Sequence, residues 1–307
     1  MPSLERRPAS GYAAPIKETR MTPLIRLSQM FPQAEVYAKC EFLAPSGCFK
    51  IRGATHLLEH LRRETQTRLL VVPSMGNTAL GVATAAAKFG FQMVGVVPHA
   101  ISRDKDEKLK ALGVELVKIA GGGTDLLNRA TEIAKESGGY FVHPHLDPLW
   151  TDGYQSMAEE ILRDLPQCRS LVIPVGGGGL LMGLAAYLQR HPADVRLHGC
   201  EAYNCPKYAP FDHPRTKTIA DGLVLEVPHP PVQARIEELR MPISLVRDEE
   251  IVAAMRALYW KHGLVIEPAS AAALAWIASN DQQLPQPICA VLTGGNIARA
   301  DFDRLIA

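Results

Sequence analysis

Short runs of apolar residues alternate with longer stretches of helical periodicity along most of the chain. Several runs are continuously apolar, which is typical of strands buried on both faces. The predicted strands are Val36–Cys40, Leu69–Pro73, Met93–Val97, Glu115–Ile119, Tyr140–Val142, Leu171–Pro174, Val195–Cys200, Ile243–Val246 and Ile288–Leu292. The predicted helices include Thr78–Phe89, Asp125–Ser137, Ser156–Leu165, Gly179–Arg190 and Asp248–His262. This alternation predicts an α/β fold in which parallel, twisted sheets are covered by helices.

Composition narrows the functional class. The 307 residues are 47% hydrophobic and 21% charged, with a net charge of +1, so a nucleic-acid partner is not expected. The six cysteines are scattered and no apolar signal segment follows the N-terminus, so we expect a cytoplasmic protein. Residues Ser170–Gln189 carry no charge over a membrane's width, but Pro174 and four glycines would break a spanning helix. We therefore expect no membrane segment.

Ligands of parallel α/β folds bind where strands end and helices begin, and four such junctions carry unusual residues. In the first, Lys50 follows the turn Pro45–Gly47 and opens a helix. A cation is poorly placed at the positive end of a helix, whereas a deprotonated lysine amine is a nucleophile. The alternative is an exposed surface lysine.

The second and fourth junctions offer polar groups without charge. Residues Ser74–Thr78 (Ser-Met-Gly-Asn-Thr) could bind an anion such as a substrate carboxylate, or could simply cap the following helix. Thr293 follows the last predicted strand and precedes two glycines, so its hydroxyl either meets a ligand or belongs to a C-terminal turn.

The third junction consists of four consecutive glycines, Gly176–Gly179, between a strand and a helix. Such a run is entropically costly, so bare backbone is required there, and phosphate bound at a helix N-terminus is the natural reason. A dinucleotide site is an alternative, because Glu201 directly follows the next predicted strand, at about the spacing of a ribose-binding acid. Leu181 and Met182 prevent a complete G-x-G-x-x-G motif, so a monophosphate fits better.

Taken in order, these four segments resemble the fold type II pyridoxal-phosphate (PLP) enzymes, the tryptophan-synthase-β-like family. Further motifs are similar to its serine/threonine dehydratase and serine racemase branch, namely Thr22-Pro23-Leu24, His143-Pro144, Ile219-Ala220-Asp221-Gly222 and Glu267-Pro268-Ala269-Ser270-Ala271. The resemblance implies a large PLP-binding domain (residues 1–68 and 147–307), a smaller inserted α/β domain (69–146), an active site in the cleft between them, and a homodimer.

The resemblance also implies roles for individual residues. Lys50 would form the Schiff base with PLP and later remove the Cα proton of the substrate. Phe49 would pack beside the cofactor, Asn77 would bind its 3-hydroxyl and Thr293 its pyridine nitrogen. The phosphate-binding residues would be Gly176, Gly177, Gly178, Gly179 and Leu180, and the substrate-binding residues would be Ser74, Met75, Gly76, Asn77 and Thr78.

The expected reaction follows from the residue beside the pyridine nitrogen. A hydroxyl stabilises a protonated ring less than a carboxylate does, so the ring is a weaker electron sink. A weak sink favours early loss of a β-substituent. We therefore predict β-elimination by a PLP-dependent lyase, which converts a β-hydroxy amino acid such as serine or threonine into a 2-oxo acid and ammonia. The alternatives are β-replacement, racemisation and a non-catalytic PLP- or amino-acid-binding relative.

Two departures from the family pattern matter. Serine racemases usually have Ser at the position of Met75, and Met cannot transfer a proton, so racemisation is disfavoured. Relatives bind a divalent cation with an acid like Glu201, a carbonyl four residues later and a second acid six residues later. Those later positions are Cys205 and Lys207 here. We expect a degenerate site without metal, in which the Lys207 ammonium either pairs with Glu201 in place of the cation or is simply an exposed lysine.

Overall fold

The computed structural model describes residues 22–74, 76–101, 103–143, 145, 147–225 and 227–307. Within these residues the strands are β1 (Leu24–Arg26), β2 (Val36–Cys40), β3 (Leu69–Pro73), β4 (Gln92–Pro98), β5 (Glu115–Ile119), β6 (Tyr140–Phe141), β7 (Ser170–Pro174), β8 (Arg196–Ala202), β9 (Ile243–Val246) and β10 (Ile288–Leu292). They form a six-stranded sheet, in the order β1-β2-β10-β7-β8-β9, and a four-stranded sheet, in the order β5-β4-β3-β6.

Helices cover both sheets. They are α1 (Lys50–Glu64), α2 (Asn77–Phe89), α3 (Arg103–Ala111), α4 (Gly123–Ser137), α5 (Pro148–Asp152), α6 (Gln155–Asp164), α7 (Gly179–Arg190), α8 (Pro230–Glu238), α9 (Asp248–His262), α10 (Pro268–Asn280) and α11 (Arg299–Ile306). Glu41–Leu43 and Asp221–Leu223 are short 3-10 helices. In the described part of the chain, no helix is both long and apolar enough to cross a membrane.

The strand pairing confirms the predicted α/β architecture. All neighbouring strands are parallel except β1, which runs antiparallel to β2 at the edge of the larger sheet. The central strands β7 and β10 are buried at every residue, which explains why their sequences are continuously apolar. The smaller sheet takes its strands from residues 69–141, inside the range predicted for the inserted domain; the domain boundaries themselves stay a prediction.

Helix α10 was not among the elements predicted from the sequence, and its burial explains why. Nearly all of its residues from Pro268 to Ile277 are buried, and it packs against α9 and four strands of the larger sheet. A helix buried on all sides has no polar face, so amphipathic periodicity cannot reveal it. The proline at its first position after Glu267 is the one local sign of a helix start.

A buried ionic network fixes the start of α1. Arg52 donates to Glu41 (Nε to Oε2, 2.8 Å) and to Glu160 (Nη2 to Oε2, 2.7 Å). Lys39 also donates to Glu160 (2.6 Å), and the Thr22 hydroxyl donates to Glu41 (2.5 Å). All five side chains are buried. The network therefore ties β2, the first 3-10 helix and α6 to the helix that begins at the candidate lysine.

Candidate active site

The lysine turn and the turn after β10 form one hydrogen-bonded unit. The Phe49 N–H donates to the Thr293 carbonyl, and the Gly295 N–H donates to the Gly47 carbonyl, both at 2.9 Å. Gly47 has a left-handed backbone (φ 72°), which favours glycine. The first and fourth junctions of the sequence, about 250 residues apart, are thus neighbours.

Lys50 is the first residue of α1, and its Nζ lies 4.8 Å from the centre of the Phe49 ring. Within the described residues its amine has no hydrogen bond or salt bridge to a carboxylate. Burial lowers the pKa of Lys50 to about 8, against the opposing effects of Cys48 and Glu267. A substantial fraction of the amine is therefore neutral near physiological pH, as a nucleophile or base must be.

Asn77 connects the second junction to the others. Its Nδ2 donates to both carboxylate oxygens of Glu267 (2.8 and 3.0 Å), and its Oδ1 accepts from Asn296 Nδ2 (2.7 Å). The Ser74 hydroxyl accepts from the N–H groups of Gly76 and Ala79 at 3.3 Å, so it does cap the start of α2. Met75, the remaining predicted residue of this loop, lies outside the described residues.

The glycine loop needs bare backbone at each of three positions. A Cβ at Gly176 would lie 2.8 Å from the Gly222 carbonyl, and one at Gly177 would lie 2.7 Å from His145 Nε2. Gly178 has φ 84°, which side chains rarely adopt, and it immediately precedes α7. The first amides of a helix have no partner within the helix, so a loop of this kind fits a phosphate group.

Thr293 presents a neutral hydroxyl to the same region. It is 5% exposed, and its Oγ1 lies 3.0 Å from the Ser270 hydroxyl. The Ser270 hydroxyl also contacts the backbone of Gly294 at 2.6 Å. The side chain of Thr293 is therefore held in place by a second hydroxyl and not by a carboxylate.

These junctions surround one cavity of about 230 Å³. The predicted residues that line it are Phe49, Lys50, Ser74, Gly76, Asn77, Thr78, Gly176, Gly177, Gly178, Gly179, Leu180 and Thr293. It thus collects every predicted cofactor- and substrate-binding residue that the structure describes. A reactive lysine, a phosphate-type loop and a hydroxyl in one cavity match the needs of a phosphorylated aldehyde cofactor, so the residues present fit PLP.

Residues 16–294 match the model of the family described as pyridoxal-phosphate dependent enzyme. The chain belongs to this family. It is 32% identical to the L-threonine ammonia-lyase of Thermotoga maritima over 279 residues, which cover 89% of this chain and 70% of the relative. It is 31% identical to the catabolic L-threonine dehydratase of Staphylococcus aureus over 292 residues, covering 91% and 84% of the two chains.

A solved structure has a similar fold. The processed form of threonine deaminase isoform 2 from Solanum lycopersicum superposes with a TM-score of 0.85 at 25% identity, covering 93% of this chain and 87% of that one. The predicted fold type, PLP cofactor and lyase reaction class are thereby confirmed.

Among the further residues of this PLP enzyme that line the cavity, four have titratable side chains and were not predicted as site residues: Lys105, His145, Asp221 and Glu267. Burial raises the pKa of Glu267 to about 7, although its hydrogen bond from Asn77 opposes the shift. Lys105 Nζ lies 3.5 Å from Asp221 Oδ2. Glu267 and Asp221 stand in motifs that signalled the family, but Lys105 and His145 belong to no motif.

The side chains of Glu201 and Lys207, at the predicted degenerate metal site, lie in the interior. Lys207 Nζ lies 3.4 Å from Glu201 Oε1 and also donates to the carbonyls of Leu223 (2.8 Å) and Cys205 (3.4 Å). The Glu201 carboxylate accepts backbone N–H groups from residues 207 to 209. Both side chains are fully buried. In the described ranges, no group of three or more His, Cys, Asp or Glu side chains could hold a metal ion.

Proposed function

We propose that the enzyme is an ammonia-lyase, or dehydratase, that converts a β-hydroxy amino acid such as serine or threonine into a 2-oxo acid and ammonia. The observation that carries the proposal is that Lys50, the glycine loop and the neutral hydroxyl of Thr293 line one cavity. The two relatives reported above are named as an L-threonine ammonia-lyase and an L-threonine dehydratase, and these names support the same reaction.

Lys50 is proposed to bind the cofactor covalently, while Gly176–Leu180 hold its phosphate. Phe49 would pack beside the ring, and Asn77 would reach the 3-hydroxyl through the second lone pair of its Oδ1. When bound, the cofactor supplies an electron sink for the electron pair of the Cα–H bond. Every other function falls to side chains and backbone of this chain.

Lys50 also serves as the base. Its pKa of about 8 allows the amine to accept a proton from Cα near neutral pH. Phe49 shields the amine on one side, because its ring centre lies 4.8 Å from Nζ. The base is thus tuned by its surroundings and not by a paired carboxylate.

Thr293 decides between elimination and reactions that need a long-lived carbanion. Its hydroxyl, fixed by Ser270, would meet the ring nitrogen without a negative charge. A neutral partner leaves the ring a modest sink, so a β-hydroxyl leaves soon after the Cα proton is removed. This favours β-elimination over racemisation.

The substrate carboxylate is proposed to bind at the N-terminus of α2, where Ser74, Gly76, Asn77 and Thr78 line the cavity. Unpaired amides and the helix dipole favour an anion at that end. The amino acid would then have its Cα near Lys50 and its side chain toward the remaining cavity wall.

The proposal extends to the domain organisation, oligomeric state, cellular location and metal requirement of the enzyme. We infer two lobes, residues 1–68 with 147–307 and residues 69–146, a homodimer, and a cytoplasmic enzyme that does not need a divalent metal. All six cysteines are free and buried, which supports a reducing compartment. The contact between Lys207 and Glu201 supports the inference about the metal.

The test is a product assay on the PLP-loaded enzyme with L- and D-serine, L- and D-threonine, 3-hydroxyaspartate and phenylserine. We expect release of a 2-oxo acid and ammonia from at least one of them without any second substrate. Turnover only after a nucleophile is added, or inversion of Cα without oxo acid, would contradict the proposal. Protein without enzyme-bound PLP serves as the control.

A further inference from the structure

Three histidines lie together beside the glycine loop, and the proposed function gives none of them a role. His143 and His145 follow β6, and His229 precedes α8. The ring centres of His145 and His229 are 5.3 Å apart, and His143 lies 6.3 Å from His145 and 6.1 Å from His229. The cluster thus joins the loop after the smaller sheet to the loop before α8.

His145 is the member that reaches the cavity. It lines the same cavity as Lys50, and its Nε2 would be 2.7 Å from a Cβ at Gly177, so the ring lies directly against the glycine loop. Its Nδ1 lies 3.3 Å from His229 Nε2. Among the residues that the structure describes, Nε2 has no hydrogen-bond partner. The ring is therefore held through one nitrogen and presents the other to the loop.

The arrangement defines which nitrogen can donate. When Nδ1 accepts the hydrogen of His229 Nε2, the proton of a neutral His145 ring is on Nε2, which can donate to an anion at the loop. His143 Nδ1 accepts the backbone N–H of His145 at 3.3 Å and so helps to fix the position of the ring.

We propose that His145 is an additional ligand of the cofactor's phosphate, held in place by His229, and that binding of the phosphate is coupled to uptake of a proton by this histidine pair. The inference rests on the proposed assignment of the phosphate to Gly176–Leu180. It adds a titratable side chain to a site otherwise made of backbone amides.

The charges around the ring explain the coupling. The titratable groups that face His145 are Lys50 from α1, His229 from the loop before α8, and His143; the carboxylate of Asp147 acts on His143. In the ligand-free enzyme, burial lowers the pKa of His145, and Lys50 and the two histidines lower it further. A phosphate carries up to about two negative charges at neutral pH. Its arrival favours the imidazolium, so affinity should be higher at low pH.

The experiment compares the affinity of the cofactor-depleted full-length enzyme for PLP and for pyridoxal, which has the aldehyde but no phosphate. Because both form the same bond to Lys50, the ratio of their dissociation constants reports the phosphate site alone. We expect His145→Gln to weaken PLP binding about 10- to 100-fold at pH 7, the effect of losing one hydrogen bond to a charged group, and to leave pyridoxal binding nearly unchanged.

Two further arms separate binding from folding. His229→Leu keeps His145 and should weaken PLP in the same direction but less, so it gives an answer even if His145→Gln does not fold. His191→Gln, at the exposed end of α7, is the matched control and should change neither affinity. Between pH 8 and pH 6 the wild-type enzyme should gain more affinity for PLP than His145→Gln does, because the ionisation of the phosphate itself is common to both.

The possible results are distinct. Equal losses for PLP and pyridoxal in His145→Gln would mean a structural role and would overturn the proposal, as would unchanged PLP affinity in both His145→Gln and His229→Leu. If the wild-type enzyme bound pyridoxal as tightly as PLP, the assignment of the glycine loop would fail as well. Neither readout depends on catalytic turnover, so failure of the proposed reaction would be recognised separately.

Discussion

Two of the enzyme's lysines, the buried Lys207 and the half-buried Lys50, lie near glutamates in surroundings that differ sharply. Lys207 is enclosed by oxygen atoms, with Glu201 at 3.4 Å and the Leu223 carbonyl at 2.8 Å. Lys50 has Glu267 in its vicinity, but within the described residues its amine contacts no carboxylate. Burial lowers the pKa of both amines.

Burial alone does not make a lysine reactive. Oxygen acceptors around Lys207 stabilise the ammonium and oppose the unfavourable effect of burial, although the pKa of Lys207 remains lowered. Around Lys50 the acceptors are replaced by the Phe49 ring and an open cavity. Lys207 thus has a structural role, whereas Lys50 has surroundings that suit a reactive amine.

The largest expected effect comes from removing the reactive amine. Lys50→Arg should abolish covalent attachment of the cofactor and lower the rate at least about 10²- to 10⁴-fold, the range for loss of a proton-transfer group. Borohydride reduction followed by peptide mass mapping checks the attachment, and Lys217→Met, at an exposed lysine, is the control. Labelling of another lysine in the folded wild-type enzyme would contradict the assignment.

Removing the enclosed amine should instead affect folding. Lys207→Met leaves Glu201 buried without its cation, which costs about 3–5 kcal/mol of stability. The double variant Glu201→Gln/Lys207→Met should lose less, because no charge is left unpaired. Denaturant unfolding of both variants, with Lys217→Met for comparison, measures the difference. Equal losses in the single and double variants would show that the pair is not ionic.

The glutamate near Lys50 should affect stability in a pH-dependent way. Its folded pKa, about 7, lies above the ordinary value of 4.5, so ionisation destabilises the fold as pH rises between these values. Glu267→Gln removes this effect and should stabilise the cofactor-free enzyme by about 3 kcal/mol at pH 8 and by little near pH 5. Unfolding at both pH values is the measurement; an equal change at both would argue against a perturbed carboxyl.

The smallest expected effect is on metal dependence, where we predict none. Because the Lys207 ammonium already lies among the oxygen atoms of Glu201, Cys205 and Leu223, EDTA treatment should leave the rate of ammonia release unchanged. Loss of activity in EDTA followed by recovery with Mg²⁺ or Ca²⁺ would refute this prediction.

Elements and site residues could be predicted from the sequence where the signal lies within one short segment. Continuous apolar runs revealed the central strands, and the bare backbone needed at Gly176–Gly179 revealed the loop that lines the cavity. Prediction failed where residues converge from distant segments. The contact between Asn77 and Glu267 spans 190 positions. Neither Lys105 nor His145 lies in a motif, because only the folded chain brings them to the cavity.

One turn of α1 holds two different electrostatic environments. Arg52 is matched by Glu41 and Glu160 in the buried network, and it is absent from the groups that shift the pKa of Lys50, two residues earlier. A substitution in the network should therefore lower the stability of the fold. It should leave the acid limb of the enzyme's pH–rate profile unchanged. The start of α1 therefore contains both the anchoring residue Arg52 and the reactive residue Lys50, and a substitution can alter one without altering the other.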